Sequence, residues 1–204
     1  MNDKETLRVA DEELLLDIRS ELLASADVLA RTLADDALVE CISDIAILCS
    51  ARLRAGNKLL FAGNGGSAAD AQHFAGELVG RFKYDRPGLA AIALTTDTSI
   101  LTAIGNDYGY EHLFARQVEA LGRAGDVLIA ISTSGRSANV LAALKVARQL
   151  GIYTVGFTGS ATTMRSHCDK LICVPSQDTA KVQEMHTIVG HAICRIIEAS
   201  CHPR

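Results

Sequence analysis

GDVLIAISTSGRSANV, residues 125–140, runs from an unbroken apolar segment, Val127–Ile131, through a turn of small polar residues into a segment of helical character. Apolar runs without polar alternation mark strands covered on both faces, as in parallel sheets. Ser132, Thr133, Ser134 and Ser137 place four hydroxyls within six positions, and a helix starts behind them near Arg136. The first amides of a helix lack internal acceptors and its dipole is positive there. Hydroxyls and free amides together make an anion site suited to a phosphate monoester. No Gly-Lys-Ser/Thr follows, so the turn is not a P-loop. A Ser-rich helix cap with nothing bound has the same composition. The place of the turn, at the carboxyl end of a presumed parallel strand, favours binding.

The same rhythm extends on both sides. KLLFAGNGGS (58–67) is an apolar run closed by a Gly-rich turn, and SAADAQHFAGELVGRF (67–82) is helical. LAAIALTT (89–96) is a second run, and residues 97–122 read as two helices with a turn near Gly109. After the 126–132 run come a helix (137–151), a fourth run (152–159), a short helix or loop at 160–167, a fifth run (169–176) and a long closing helix (179–201). Alternating strands and helices predict a three-layer α/β domain around a doubly wound, five-stranded parallel sheet over residues 56–204. Residues 1–55 read as a helical extension: Leu7, Leu14, Leu15, Leu22 and Leu23 form an amphipathic stripe, and a second pattern spans Asp36 to Arg54.

Composition agrees. The 204 residues are 49% hydrophobic but only 4% aromatic, with no Trp, so the core is aliphatic and unlike most sandwiches or barrels. A mean hydropathy of +0.18 leaves an apolar excess for a large core or for subunit interfaces. Net charge −4 argues against nucleic acid as a main partner. No run approaches 18 apolar residues, so no membrane partner is expected, and the N-terminus lacks a signal-peptide layout. A cytoplasmic location with reduced thiols is therefore expected. The six Cys contain no Cys-x-x-Cys pair and read as small hydrophobes.

The Gly-rich turn has Gly63, Gly65 and Gly66, but Ala68 occupies the third position of a dinucleotide fingerprint, so that reading is weak. On the following helix His73 and Glu77 are four apart and share a face. On the last helix Gln183 and His191 also share a face. Two imidazoles, a carboxylate and an amide oxygen suit a divalent transition metal such as Zn²⁺. Spacing alone leaves Glu184 equally well aligned and His186 nearby, and a helical His–Glu pair is often a plain hydrogen bond.

GNGGSAADAQHFAGELVGRF, IALTTDTSILTAIGNDYGYE, GDVLIAISTSGRSANV and VQEMHTIVGH together resemble the sugar-isomerase (SIS) family, from about residue 5 to the last helix, in order and at compatible spacing. The resemblance is strongest to the branch that converts sedoheptulose 7-phosphate to D-glycero-D-manno-heptose 7-phosphate. It implies a cytoplasmic homotetramer with active sites at subunit interfaces, assembled in part by the N-terminal helices, and one Zn²⁺ per subunit. Residue by residue it implies a phosphate loop at Ser132, Thr133, Ser134 and Ser137, and substrate contacts at Asn64, Gly65, Gly66, Asn106 and Asp107. It also implies metal ligands at His73, Glu77, Gln183 and His191, preferring Gln183 to Glu184. Arg136 stands where Asn is frequent, and Ala180 where some members carry Asp. A replication-regulating paralogue lacks the counterparts of Glu77 and His191, which are present here and favour an enzyme over a non-catalytic sugar-phosphate sensor or initiator-binding protein.

The implied reaction moves a proton between C1 and C2 through an enediol, which needs a base serving both carbons and a group that polarises the carbonyl. Glu77 and His191 are expected as the acid/base pair, with Glu77 and Gln183 also touching substrate. Zn²⁺ would act as the Lewis acid.

Overall fold

The computed structural model describes residues 3–161 and 163–204, with side chains from residue 12 onward; the Leu7 side chain lies outside the described residues. Helices α1 (Asp3–Ala34) and α2 (Asp36–Arg54) come first, broken at Asp35, whose carboxylate caps α2 through the Leu38 amide. Then follow β1 (Leu59–Gly63), α3 (Gly66–Val79), β2 (Ala91–Ala93), α4 (Thr98–Asp107), a 3₁₀ turn at Tyr110–His112 and α5 (Leu113–Leu121). The chain ends with β3 (Val127–Ile131), α6 (Ala138–Gln149), β4 (Tyr153–Thr158), a 3₁₀ turn at Thr163–His167, β5 (Lys170–Cys173) and α7 (Thr179–Cys201).

The sheet has five strands in the order β2-β1-β3-β4-β5, all neighbours parallel, as the apolar runs predict. Alternate side chains of each strand feed opposite layers. Leu59, Phe61, Ile129 and Phe157 pack under α2, α3 and α7. Leu60, Ala62, Leu128 and Ala130 pack under α5 and α6. The 89–96 run yields only the three-residue edge strand Ala91–Ala93. In this strand order β1 and β3 are adjacent while their connections leave to opposite sides, the switch point where open α/β sheets bind ligands. Gly63 pairs with Ile131 in register, so the Gly-rich and Ser-rich turns leave the sheet side by side.

The far half of α1 is tied to α7. Val28 is buried with Val174, Val182 and Met185. The Lys181 ammonium donates to the Glu21 carbonyl and the Ser25 hydroxyl. Leu14, Leu15, Leu22 and Leu23 remain exposed, the last two at 67% and 69%. All six Cys are free thiols; Cys49 and Cys194 are buried, and burial pushes both up to about 12. Among the described residues no helix is long and apolar enough to cross a membrane.

His186 is fully buried, with Nε2 3.3 Å from the Thr158 carbonyl and its ring edge-on to Phe157. Nδ1 has no hydrogen-bond partner among the described residues. Burial pulls the imidazole down to about 4. An unfolded chain takes this proton near pH 6.5, so the contribution is intact above that pH and is lost as pH falls towards 4, to the extent of about 3 kcal/mol. Thermal unfolding between pH 7 and 4 should show the wild type losing more stability than His186→Leu; equal losses would contradict the assignment.

Candidate functional site

The Ser-rich turn carries the architecture of an anion cradle. Ser137 is the N-cap of α6, but its hydroxyl makes no capping bond and pairs instead with the Ser132 hydroxyl at 3.0 Å. The first turn of α6 thus lacks a side-chain cap. The Ser134 hydroxyl accepts the Arg136 amide at 3.3 Å and is exposed. Thr133, Ser134 and Arg136 line a polar cleft of about 390 Å³, closed on its other side by Ser160, Ser176 and Thr179. Arg136, the departure from the family pattern, is therefore on the cleft wall.

The Gly-rich turn opens a second cleft of about 520 Å³, lined by Asn64, Gly65, Thr95, Thr102 and Tyr110 among others. The Asn64 side chain is committed: its amide exchanges two 2.9 Å hydrogen bonds with the buried Asn139 of α6, and its oxygen also accepts from the Tyr110 hydroxyl. Asn139 and Tyr110 were not legible as site residues, since neither has a partner in its own segment. Asn106 and Asp107, at the exposed end of α4, bond to each other at 2.8 Å and to no other candidate residue.

Helices α3 and α7 lie parallel and in register, and their seam carries the remaining candidates. Gly66 leaves room for the Gln183 amide to lie against the start of α3; a Cβ there would push that amide aside. Four residues on, the Thr187 hydroxyl donates to Asp70 at 2.8 Å. Next, His73 Nε2 and His191 Nε2 approach to 2.7 Å, and Glu77 Oε1 lies 3.5 Å from His73 Nε2. One ligating atom from each of His73, Glu77 and His191 lies within 4.8 Å of the other two. Two imidazole nitrogens and a carboxylate converging in this way fit a borderline divalent metal. The alternatives left open by spacing separate here. Glu184 is exposed and faces Lys181, while His186 is buried towards the sheet.

Asp70 was missed by the sequence reading. Burial raises its carboxyl above the ordinary range, while the Thr187 hydroxyl and the His73 and His191 rings partly offset that rise. A lone Asp between alanines carries no sequence signal, and its partner is 117 residues away.

A parallel sheet in this order, with a hydroxyl-lined turn after β3, agrees with an SIS domain, and the family model described as SIS domain matches residues 22–159. A curated phosphoheptose isomerase from Burkholderia pseudomallei is 56% identical over 90% of this chain and 93% of its own length. The solved phosphoheptose isomerase of Neisseria gonorrhoeae is 44% identical with a TM-score of 0.85, covering 91% of this chain and 99% of that one. That of Francisella tularensis is 38% identical with the same TM-score, covering 90% and 97%. The chain belongs to the phosphoheptose isomerases of the SIS-domain family.

Proposed function

We propose that this chain is an aldose–ketose isomerase that converts sedoheptulose 7-phosphate to D-glycero-D-manno-heptose 7-phosphate. The observation that carries the reading is the convergence of His73, Glu77 and His191 on the α3–α7 seam of a chain in this family. The Ser132–Ser137 loop and the uncapped start of α6 take the phosphate, so binding energy remote from the reacting carbons orients them. Asn64, Gly65, Gly66, Asn106, Asp107 and Gln183 contact the sugar. Glu77 and His191 carry the proton between C1 and C2. His73, Glu77, Gln183 and His191 hold Zn²⁺, which when bound supplies Lewis-acid polarisation of the sugar oxygens.

The His–Glu–His group lines neither the Ser-rich nor the Gly-rich cleft, and Asn106 and Asp107 bond to each other rather than to it. Both facts support an active site completed between subunits of a homotetramer, with the helices of residues 1–55 assembling it and residues 56–204 forming the catalytic domain. The exposed leucines of α1 support the same assembly. A cytoplasmic location fits this substrate.

The test is incubation of the full chain with sedoheptulose 7-phosphate and detection of the aldose product by NMR. Activity should fall on chelation and return with Zn²⁺; absence of product from metal-replete protein would sink the reading. Ser134→Ala should raise KM by roughly 10–100-fold, the loss of a hydrogen bond to a charged group, with kcat little changed. An unchanged KM would remove Ser134 from the phosphate site.

A further inference from the structure

The segment between α3 and β2 contains no helix or strand over residues 80–90, yet it is tied down by a buried ion pair. Glu198, on α7 and 1% exposed, receives three donors: the Phe82 amide at 2.8 Å, the Lys83 amide at 2.7 Å and Arg86 Nε at 3.0 Å. The rest of the Arg86 guanidinium turns to the last turn of α3 and its exit. One terminal nitrogen donates to the Glu77 carbonyl at 2.9 Å, the other to the Leu78 carbonyl at 2.7 Å and the Pro87 carbonyl at 2.9 Å. Orphan carbonyls at a helix C-terminus and its negative dipole end are both answered by such a cation. Burial alone would raise the Glu198 carboxyl, but the Phe82 and Lys83 amides and the guanidinium together hold it below the ordinary range.

What this pair holds is specific. At one end it fixes the helical turn that bears Glu77. At the other it fixes the Phe82 backbone, and the Phe82 ring lies 5.5 Å from the His191 ring, inclined by 32°. Glu198 also follows His191 by seven residues, two turns along one face of α7. A buried ion pair is by itself weak evidence for stability, because an apolar pair of equal volume often serves as well. Here, besides the bond between its two members, the pair bonds to backbone groups at and beside Glu77 and Phe82 and along the segment that joins them to Pro87.

We infer that Arg86 and Glu198 form a positioning clamp, acting through the last turn of α3 and through Phe82, that sets Glu77 and His191 in their mutual geometry. The inference rests on the proposed isomerase reading for its kinetic consequence, but not for its effect on the metal-ligating group.

The test uses the full chain carrying Glu198→Gln, which keeps the volume but turns a donor towards the Phe82 or Lys83 amide. A second variant, Phe82→Leu, leaves the clamp intact and removes the ring from His191. Two quantities are read: kcat and KM with sedoheptulose 7-phosphate, and Zn²⁺ affinity by competition with a chromophoric chelator. In Glu198→Gln, kcat should fall roughly 10–100-fold with KM within about threefold, and Zn²⁺ affinity should fall by about tenfold or more. Phe82→Leu should move both in the same direction by less. Wild-type kcat and Zn²⁺ affinity in both variants would overturn the clamp, as would KM rising in step with the loss of kcat. If Glu198→Gln does not fold, wild-type values in Phe82→Leu alone overturn it. If the wild type does not turn over the sugar phosphate, the isomerase reading fails and the Zn²⁺ affinities alone decide the clamp.

Discussion

Glu77→Gln is expected to lower kcat by about 10³-fold or more, with a folded chain of unchanged assembly state. Gln matches Glu in shape and can still offer an oxygen to a metal, but it cannot accept a proton at neutral pH. The variant thus isolates the base from the packing. General acid–base groups contribute about 10²–10⁴-fold each, and a base serving both carbons of an enediol belongs at the upper end of that range. His191→Ala should do similar damage, because it removes the imidazole whose Nε2 stands 2.7 Å from that of His73. The two groups act as one unit, so the double variant should be little worse than the poorer single one. Steady-state kinetics, with circular dichroism and size-exclusion chromatography as controls, check this. Turnover within tenfold of wild type in either single variant would remove that residue from the chemistry.

The second large effect is structural. A Cβ on Gly190 would run into the ring of Phe74, which is 1% exposed and packed among the residues under the sheet. The ring has nowhere to go, and α7 must move away from α3. Overpacking of this kind costs about 3 kcal/mol. For a chain of this size that corresponds to a fall in Tm of about 6–12 °C. Gly190→Ala should also weaken Zn²⁺ binding, since the helix that shifts carries His191. A Tm within about 2 °C of wild type would mean that the seam is not close-packed at this position. The packing role of Gly190 depends on a ring 116 positions earlier in the chain, which no local pattern reveals.

The parallel sheet is legible in the sequence because its strands are buried on both faces and so lose all polar alternation, as in Val127–Ile131. The His73–Glu77 pair is legible because both members belong to one helix and one face. The choice among Gln183, Glu184 and His186 is not, because periodicity gives faces of α7 but not which neighbour each face meets. The fold packs α7 against α1, α2 and α3 at once, so residues one position apart meet different surroundings. Asp70–Thr187 and Arg86–Glu198 escape for the same reason: each is a polar group of ordinary appearance whose meaning lies with a partner more than a hundred residues distant. The edge strand β2 is shorter than its apolar run because one side of it has no strand to pair with.

The seam also has a consequence for how the protein comes into being. His73 and His191 are separated by 118 residues, and three of the five strands lie between β2 and α7. At about 5–20 residues per second, a ribosome releases the first imidazole on the order of 6–24 s before the second. A nascent chain therefore carries His73 and Glu77 alone, and the three-residue group is complete only once α7 has been made and docks. Assembly of this group is in that sense a late event in folding, out of reach of any chain that lacks α7.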